Sequence, residues 1–382
     1  MNNEIYLDNA ATTKTDEKVL KAMLPYFNEK YGNASSLHLK GQEARRAVEE
    51  TRETIARSIG ARYKEIIFTG SGTEANNFAL KGLFFNNYPE KNHIITTKIE
   101  HDCVLNSCKW LESQGAKVTY LDVDEKGFVN PDDIKKAITN ETFLVSIIHG
   151  NNEIGTIQNL REIGKICREK NVLFHTDACQ SFTKIPINVK KDYIDLMTLN
   201  AHKIHGPKGV GALYIREGIK ITSLLHGGGQ EFKLRSSTEN VPGIVGFGKA
   251  VKISSWRDVR KMKRLRDFLI KELLKIPKTK LNGAEGEKRL CNNINISFKN
   301  IEGEALGDYL NSYKIYTSTG SACSSKSLNP SHVLIALGLS ALEANSSIRI
   351  SISKYTTKQE IDYFLEKIKN IVERLRKISP LK

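Results

Sequence analysis

The sequence predicts an α/β fold built on a mainly parallel sheet, joined to a smaller α+β region. Three observations predict it. Seven short apolar runs recur through the first two-thirds of the chain: 65–70 (EIIFTG), 93–97 (HIITT), 118–123 (VTYLDV), 143–148 (FLVSII), 172–178 (VLFHTDA), 196–200 (LMTLN) and 211–215 (GALYI). Helical patterns, the first over 42–59, separate most of them. After about Val251 the pattern changes to a long helix, shorter strands and a closing helix. Continuous apolar strands alternating with helices belong to parallel sheets covered on both faces, whose ligands sit beyond the carboxyl ends of the strands.

The C-terminal elements follow from their own signals. The closing helix opens at Thr357-x-x-Glu360, a capping-box pattern, and repeats Ile361, Phe364, Leu365, Ile368, Ile371, Val372 and Leu375 at helical spacing. Residues 251–280 read as one amphipathic helix whose apolar face carries Ile253, Trp256, Val259, Met262, Leu265, Phe268 and Leu269. A chain of 382 residues exceeds one ordinary domain. We therefore expect a large domain over 15–250 and a smaller one formed by 1–14 and 251–382.

Composition narrows the function classes. Hydrophobic residues make up 40% and charged residues 26%, as in soluble globular proteins. The longest apolar runs are strand-sized, too short to span a bilayer. The N-terminus has neither the basic start nor the apolar core of a signal segment, so a cytoplasmic location is expected. The six cysteines, at 103, 108, 167, 179, 291 and 323, form no CxxC pair, so no structural metal site is expected. The net charge of +15 raises the question of nucleic acid. Residues 251–280 alone hold 11 Lys or Arg against 3 acids. No nucleic-acid motif accompanies them, so direct nucleic-acid binding is not expected. The stretch reads as a solvated basic face or as a surface for an acidic protein partner.

The residues with chemical promise lie just beyond strand ends. GSGTEANN (70–77) follows a strand and opens a helix. Its small residues let backbone N–H groups approach a phosphate, although Ser71-x-x-Glu74 is equally a plain capping box. Asp177 ends one strand, and Lys203 follows another 26 residues later. Such a pair suits one cofactor: the lysine can form a Schiff base with an aldehyde, and the carboxylate can keep a pyridine nitrogen protonated. His101 follows HIITT, where an imidazole can stack on a ring or move protons. Asn151 and Asn152 follow FLVSII and can bond a ring hydroxyl or cap a turn. Arg349 alternates with serines in SSIRISIS, leaving room for a bidentate carboxylate. Cys323 lies in a Gly/Ser-rich segment, 317–332, expected to be a mobile loop.

Taken in order, these segments resemble the cysteine desulfurases, in the branch that supplies sulfur for iron–sulfur clusters and tRNA thiolation. The resemblance runs from YLDNAATT (6–13) to RKISPLK (376–382), through YGNASSLH, SGTEANN, EHDCV, NNEIG, HTDACQS, AHKIHGPKG, HGGGQE, RSSTEN, TGSACSS and SSIRIS. It implies the fold type I architecture of aminotransferase-like enzymes, with a seven-stranded sheet and pyridoxal 5'-phosphate as cofactor. It implies Lys203 as the Schiff-base lysine, Asp177 as the pyridinium partner, Gln180 as the partner of the ring hydroxyl and His101 as the stacking, proton-transferring histidine. Gly72, Thr73 and His202 match phosphate contacts, and Thr238 matches one reached from a second subunit, hence a homodimer. Asn152 and Arg349 match contacts to the carboxylate of the L-cysteine substrate. Cys323 matches the cysteine that becomes a persulfide, and is also a candidate transient ligand of an iron–sulfur cluster.

The chain departs from the family at Asn200, where a phosphate-contacting Ser is usual, at Ala34 for Pro, at Gln230 for His, and at Cys179 for Thr or Val. The amide of Asn200 can donate to phosphate as the hydroxyl does. The sequence stops soon after SPL, where related enzymes often continue into a tail that docks the cluster scaffold. The expected acceptors are an iron–sulfur scaffold or tRNA-thiolation enzymes. The resemblance around Cys323 argues against transamination. Intact Lys203, Asp177 and Cys323 argue against a basic binding protein that has lost catalysis.

Overall fold

A computed structural model describes residues 4–320 and 329–380. The chain opens with β1 (Ile5–Tyr6), α1 (Glu17–Met23), α2 (Pro25–Asn28) and α3 (Leu39–Ile59). Then strands and helices alternate: β2 (Ile66–Thr69), α4 (Gly72–Asn87), β3 (His93–Thr97), α5 (Asp102–Glu112), β4 (Lys117–Leu121), α6 (Pro131–Ala137), β5 (Thr142–Ser146), α7 (Leu160–Glu169), β6 (Leu173–Asp177), β7 (Leu196–Asn200) and β8 (Gly211–Ile215). These strands form one seven-stranded sheet in the order β2-β8-β7-β6-β5-β3-β4. Only β8 runs against its neighbours in that sheet. The carboxyl ends of β2, β3, β5, β6 and β7 therefore share one edge of the sheet.

Apolar runs fill this sheet because both of its faces are covered. Successive residues point to opposite faces. Ile66, Val145 and Met197 enter a core with Ile55 and Phe247. Their chain neighbours Ile67, Leu144 and Leu196 enter a second core with Phe78, Leu83 and Leu111.

The C-terminal third adds α8 (Val241–Ile253), α9 (Trp256–Leu273), β9 (Thr279–Leu281), β10 (Asn293–Phe298), α10 (Gly303–Ser312), β11 (Ile315–Tyr316), α11 (His332–Ala336), α12 (Ala341–Asn345), β12 (Ser347–Ser351) and α13 (Lys358–Ile378). β12, β10 and β9 form an antiparallel sheet. A third core joins Ile296, Phe298, Ile350, Phe364 and Val372 to Ile5 and Leu7 from the start of the chain. β1 pairs with β11 in parallel, and Asp8 bridges to Ser351. This return of the N-terminus brings residues 8–13 to the carboxyl edge of the large sheet.

α13 begins at the expected capping box between Thr357 and Glu360. The expected single helix over 251–280 is two helices. α8 ends at Ile253, and Ser255 accepts a hydrogen bond from Arg257 N to start α9. A serine that caps a helix start competes with helix continuation. The break turns Trp256 outward, 48% exposed, off the apolar face to which its spacing assigned it. Among the described residues no helix is long and apolar enough to cross a membrane.

Candidate active site

A cavity of about 220 Å³ opens at the carboxyl edge of the large sheet. Its floor is the turn into α4. Ser71 caps that helix by accepting a hydrogen bond from Glu74 N at 3.0 Å, and Glu74 accepts one from Gly70 N at 2.8 Å. Both readings of the motif hold together: the serine is used as a cap, while Gly72 and Thr73 occupy the first turn, where backbone N–H groups lack helical acceptors. A Cβ on Gly72 would lie 2.7 Å from Cys179 Sγ and 3.3 Å from Asn200 Nδ2. A side chain there would have to displace the Cys179 thiol.

Lys203 reaches the cavity from the turn after β7. Its ammonium donates to the carbonyl oxygens of Ala10 and Ala11, the latter at 2.6 Å. Burial, reinforced by Arg349, brings its pKa down from 10.5 to about 8. Asp177, the last residue of β6, accepts from Asn76 Nδ2 at 2.7 Å and from Cys179 N at 2.9 Å. Gln180 donates to Ala10 O at 2.8 Å. His101 caps α5, and Cys103 N donates to its Nδ1 at 3.1 Å. In a neutral ring the proton is then on Nε2. His202 Nδ1 lies 3.2 Å from Thr12 Oγ1; burial and the Lys203 charge push its pKa down to about 3, so it is neutral.

The opposite wall carries Asn152 and Arg349. Arg349 is 1% exposed, and its guanidinium donates from Nη1 to Asn152 O at 3.3 Å and from Nη2 to Asp8 Oδ1 at 2.8 Å. The strand alternation in SSIRISIS left room beside Arg349, and Asp8 takes part of it.

The structure thus brings together Gly72, Thr73, His101, Asn152, Asp177, Gln180, Asn200, His202, Lys203 and Arg349. Thr238 stands apart, exposed in the stretch before α8. Cys323 lies outside the described residues. Of the described residues flanking it, Ser318 pairs with the backbone of Arg349 in the cavity wall, and Ser331 Oγ donates to Glu153, next to Asn152, at 2.5 Å.

Sequence reasoning missed Asp8, the Ala10 and Ala11 carbonyls, Asn76 and Cys103. Asn76 was findable, because it follows Gly72 by four residues and so shares its helix face. It also missed Glu100, which is buried behind His101. There Thr97 Oγ1 and Ile148 N both donate to Oε1, and burial raises the carboxyl to about 8. That carboxyl is protonated at neutral pH.

Three buried polar atoms that line this cavity have no partner: Asn76 Oδ1, Asn200 Oδ1 and Arg349 Nε. Buried polar groups are paired as a rule, so three orphans around one cavity mark a ligand's place. A helix N-terminus, a carboxylate and a lysine of lowered pKa suit a phosphorylated pyridine aldehyde. Among the described residues no His/Cys/Asp/Glu cluster could hold a metal.

Comparisons with known proteins give the family. The family described as aminotransferase class-V matches residues 5–364. A protein of Methanosarcina thermophila named cysteine desulfurase IscS is 50% identical over 383 residues, covering 100% of this chain and 95% of that protein. The solved structure of a NifS-like protein superposes with a TM-score of 0.91 at 42% identity, covering 97% of this chain and all of that one. A structure titled SspA in complex with cysteine superposes with a TM-score of 0.84 at 39% identity, covering 92% of this chain and all of that one.

Proposed function

This chain belongs to the class-V aminotransferase family, among its cysteine desulfurases, and from that premise we propose how its own residues divide the work. L-Cysteine and the Cys323 thiol go in; L-alanine and a Cys323 persulfide come out. The C–S bond of the substrate breaks and an S–S bond forms, with no external oxidant or reductant. The single observation that carries the reading is the cavity with three unpartnered polar atoms, flanked by Lys203 and Asp177.

In this reading Lys203 holds pyridoxal 5'-phosphate. Gly72, Thr73, Asn200 and His202 line the phosphate end, Thr238 of a second subunit completes it, and Gln180 faces the ring hydroxyl. When bound, the cofactor supplies an aldehyde that takes up the substrate amino group and a ring that withdraws electrons from Cα. Asp177 keeps the pyridine nitrogen protonated, because an opposite charge nearby favours the charged form. His101 covers the ring and presents Nε2–H. Asn152 and Arg349 hold the substrate carboxylate. Lys203, whose lowered pKa leaves more of it unprotonated near neutral pH than an ordinary lysine, would take the proton from Cα.

The sulfur acceptor is Cys323. Burial raises the pKa of each of the other five cysteines, Cys103 and Cys108 to about 12, so all five are thiols at neutral pH. The persulfide then passes to an iron–sulfur scaffold or to a tRNA-thiolation enzyme in the cytoplasm. We also propose the division into 15–250 and 1–14 with 251–382; the core that joins Ile5 and Leu7 to α13 supports it.

The test is one experiment on two samples. In wild type, borohydride reduction and peptide mapping should find the pyridoxyl group on Lys203. Cys323→Ser should carry the same label but form no protein-bound sulfur and almost no alanine. A label elsewhere, or wild-type alanine release from Cys323→Ser, overturns the reading.

A further inference from the structure

We propose that Asp8 is a resident counter-ion of Arg349 that holds the site's affinity for an α-carboxylate down. It thereby sets the Michaelis constant and lets the amino-acid product leave. The inference rests on Arg349 being the carboxylate anchor.

Asp8 is fixed in place. Ser351 N donates to Leu7 O at 2.6 Å, Asn9 N donates to Ser351 O at 3.2 Å, and Asn9 Nδ2 reaches the same oxygen at 2.8 Å. Those bonds seat residue 8 beside β12, where Arg349 and Ser351 share a face. Its carboxylate then meets Nη2 of Arg349 at 2.8 Å, with the arginine side chain 2% exposed and the aspartate side chain 18%. A drifting surface acid would be neither so buried nor so anchored.

The guanidinium is only partly used. Arg349 has five N–H donors. One bond goes to Asp8 and one to Asn152 O, and Nε has no partner although it is buried. A substrate carboxylate can therefore bind without breaking the existing pair. It does so against Asp8, since two carboxylates on one guanidinium repel each other in a site with little water to screen them.

That arrangement suits the reaction. Cysteine and alanine carry the same ammonium and carboxylate and differ only in the sulfur. An arginine with no counter-ion would bind both tightly. Tight ground-state binding lowers the Michaelis constant without raising turnover, and it retains the product. Asp8 weakens both complexes alike and leaves the difference, the sulfur, to the chemistry.

The test uses the cofactor-loaded enzyme. L-Alanine affinity is measured by calorimetry and as competitive inhibition of L-cysteine turnover in wild type, Asp8→Asn, Asp8→Ser and Arg349→Lys. Asp8→Asn keeps an oxygen for Nη2 and removes the charge. It should bind alanine about tenfold more tightly and lower the Michaelis constant for cysteine in step. Asp8→Ser should move the same way and serves as the second variant if the first folds poorly. Unchanged or weaker alanine binding in the folded Asp8 variants overturns the proposal and makes Asp8 an orienting group. Unchanged alanine binding in Arg349→Lys instead overturns the carboxylate site itself, whatever the Asp8 variants do.

Discussion

Asp177 arrives at the cavity with both oxygens engaged, one by the Asn76 amide and one by Cys179 N. Those two neutral donors fix its orientation, and no ion pair among the described residues involves it. A carboxylate held this way is free to act on a cationic ligand. Asp177→Asn can keep its amide oxygen on one of the two donors, so the cavity should survive. We expect that variant to retain most of its cofactor, read as visible absorbance, and to lose about 100-fold or more in alanine release. Near-normal turnover would remove Asp177 from the mechanism. Legibility at this scale was uneven. Lys203 and Asp177 could be read because polar residues at strand ends stand out from apolar runs. Asp8 could not be read, because its value depends on Arg349, a neighbour 341 residues away in sequence. Ala10 and Ala11 contribute backbone carbonyls, which no side-chain pattern reports.

Among the elements, α1 is tied to the C-terminal region through its cap. Asp16 Oδ1 accepts from Lys18 N at 2.8 Å, while Oδ2 accepts from Lys354 Nζ at 2.6 Å and the Tyr355 hydroxyl at 2.5 Å. Burial alone would raise the pKa of Asp16, but these donors win and hold it at about 2, below its ordinary 3.8. A carboxylate depressed on folding contributes stability that is fully present above about pH 4 and disappears as the pH falls toward 2. Asn can cap as Asp does, so Asp16→Asn isolates the ionic part. We expect it to be about 2 kcal/mol less stable than wild type at pH 7, with the gap narrowing at pH 3, measured by urea unfolding. An equal gap at both values would assign the effect to packing. The elements themselves were largely legible. HIITT, LMTLN and GALYI became β3, β7 and β8 with their expected bounds, because runs buried on both faces end where burial ends. β4 and β5 each start a residue earlier than their apolar runs, at Lys117 and Thr142, since backbone pairing begins before the first apolar side chain, and each ends two residues short, at Leu121 and Ser146. The break at Ser254 and Ser255 went unseen because the apolar residues on either side, Ile253 and Trp256, keep helical spacing through it.

For the whole molecule, the exposed apolar side chains are unevenly distributed. Leu24, Phe27, Tyr31, Leu37 and Leu39 are all exposed within one short stretch, Leu37 at 84%. Concentrations of exposed apolar surface mark interaction sites. This stretch supports the proposed homodimer, in which Thr238 would reach the cavity of a second subunit. Sedimentation should give twice the 42.9 kDa of one chain, and Leu37→Lys combined with Leu39→Lys should shift the protein toward the monomer. A monomeric wild type would contradict the assembly.

The pairing of Asp8 with Arg349 also concerns how the protein is made. Domains generally fold as units and N-terminal first during synthesis. Here the proposed carboxylate anchor pairs residues 341 positions apart, so a ribosome must pass Arg349 before the pair can form. A chain released before that point carries Lys203 and the turn into α4 but lacks the arginine of the proposed carboxylate site.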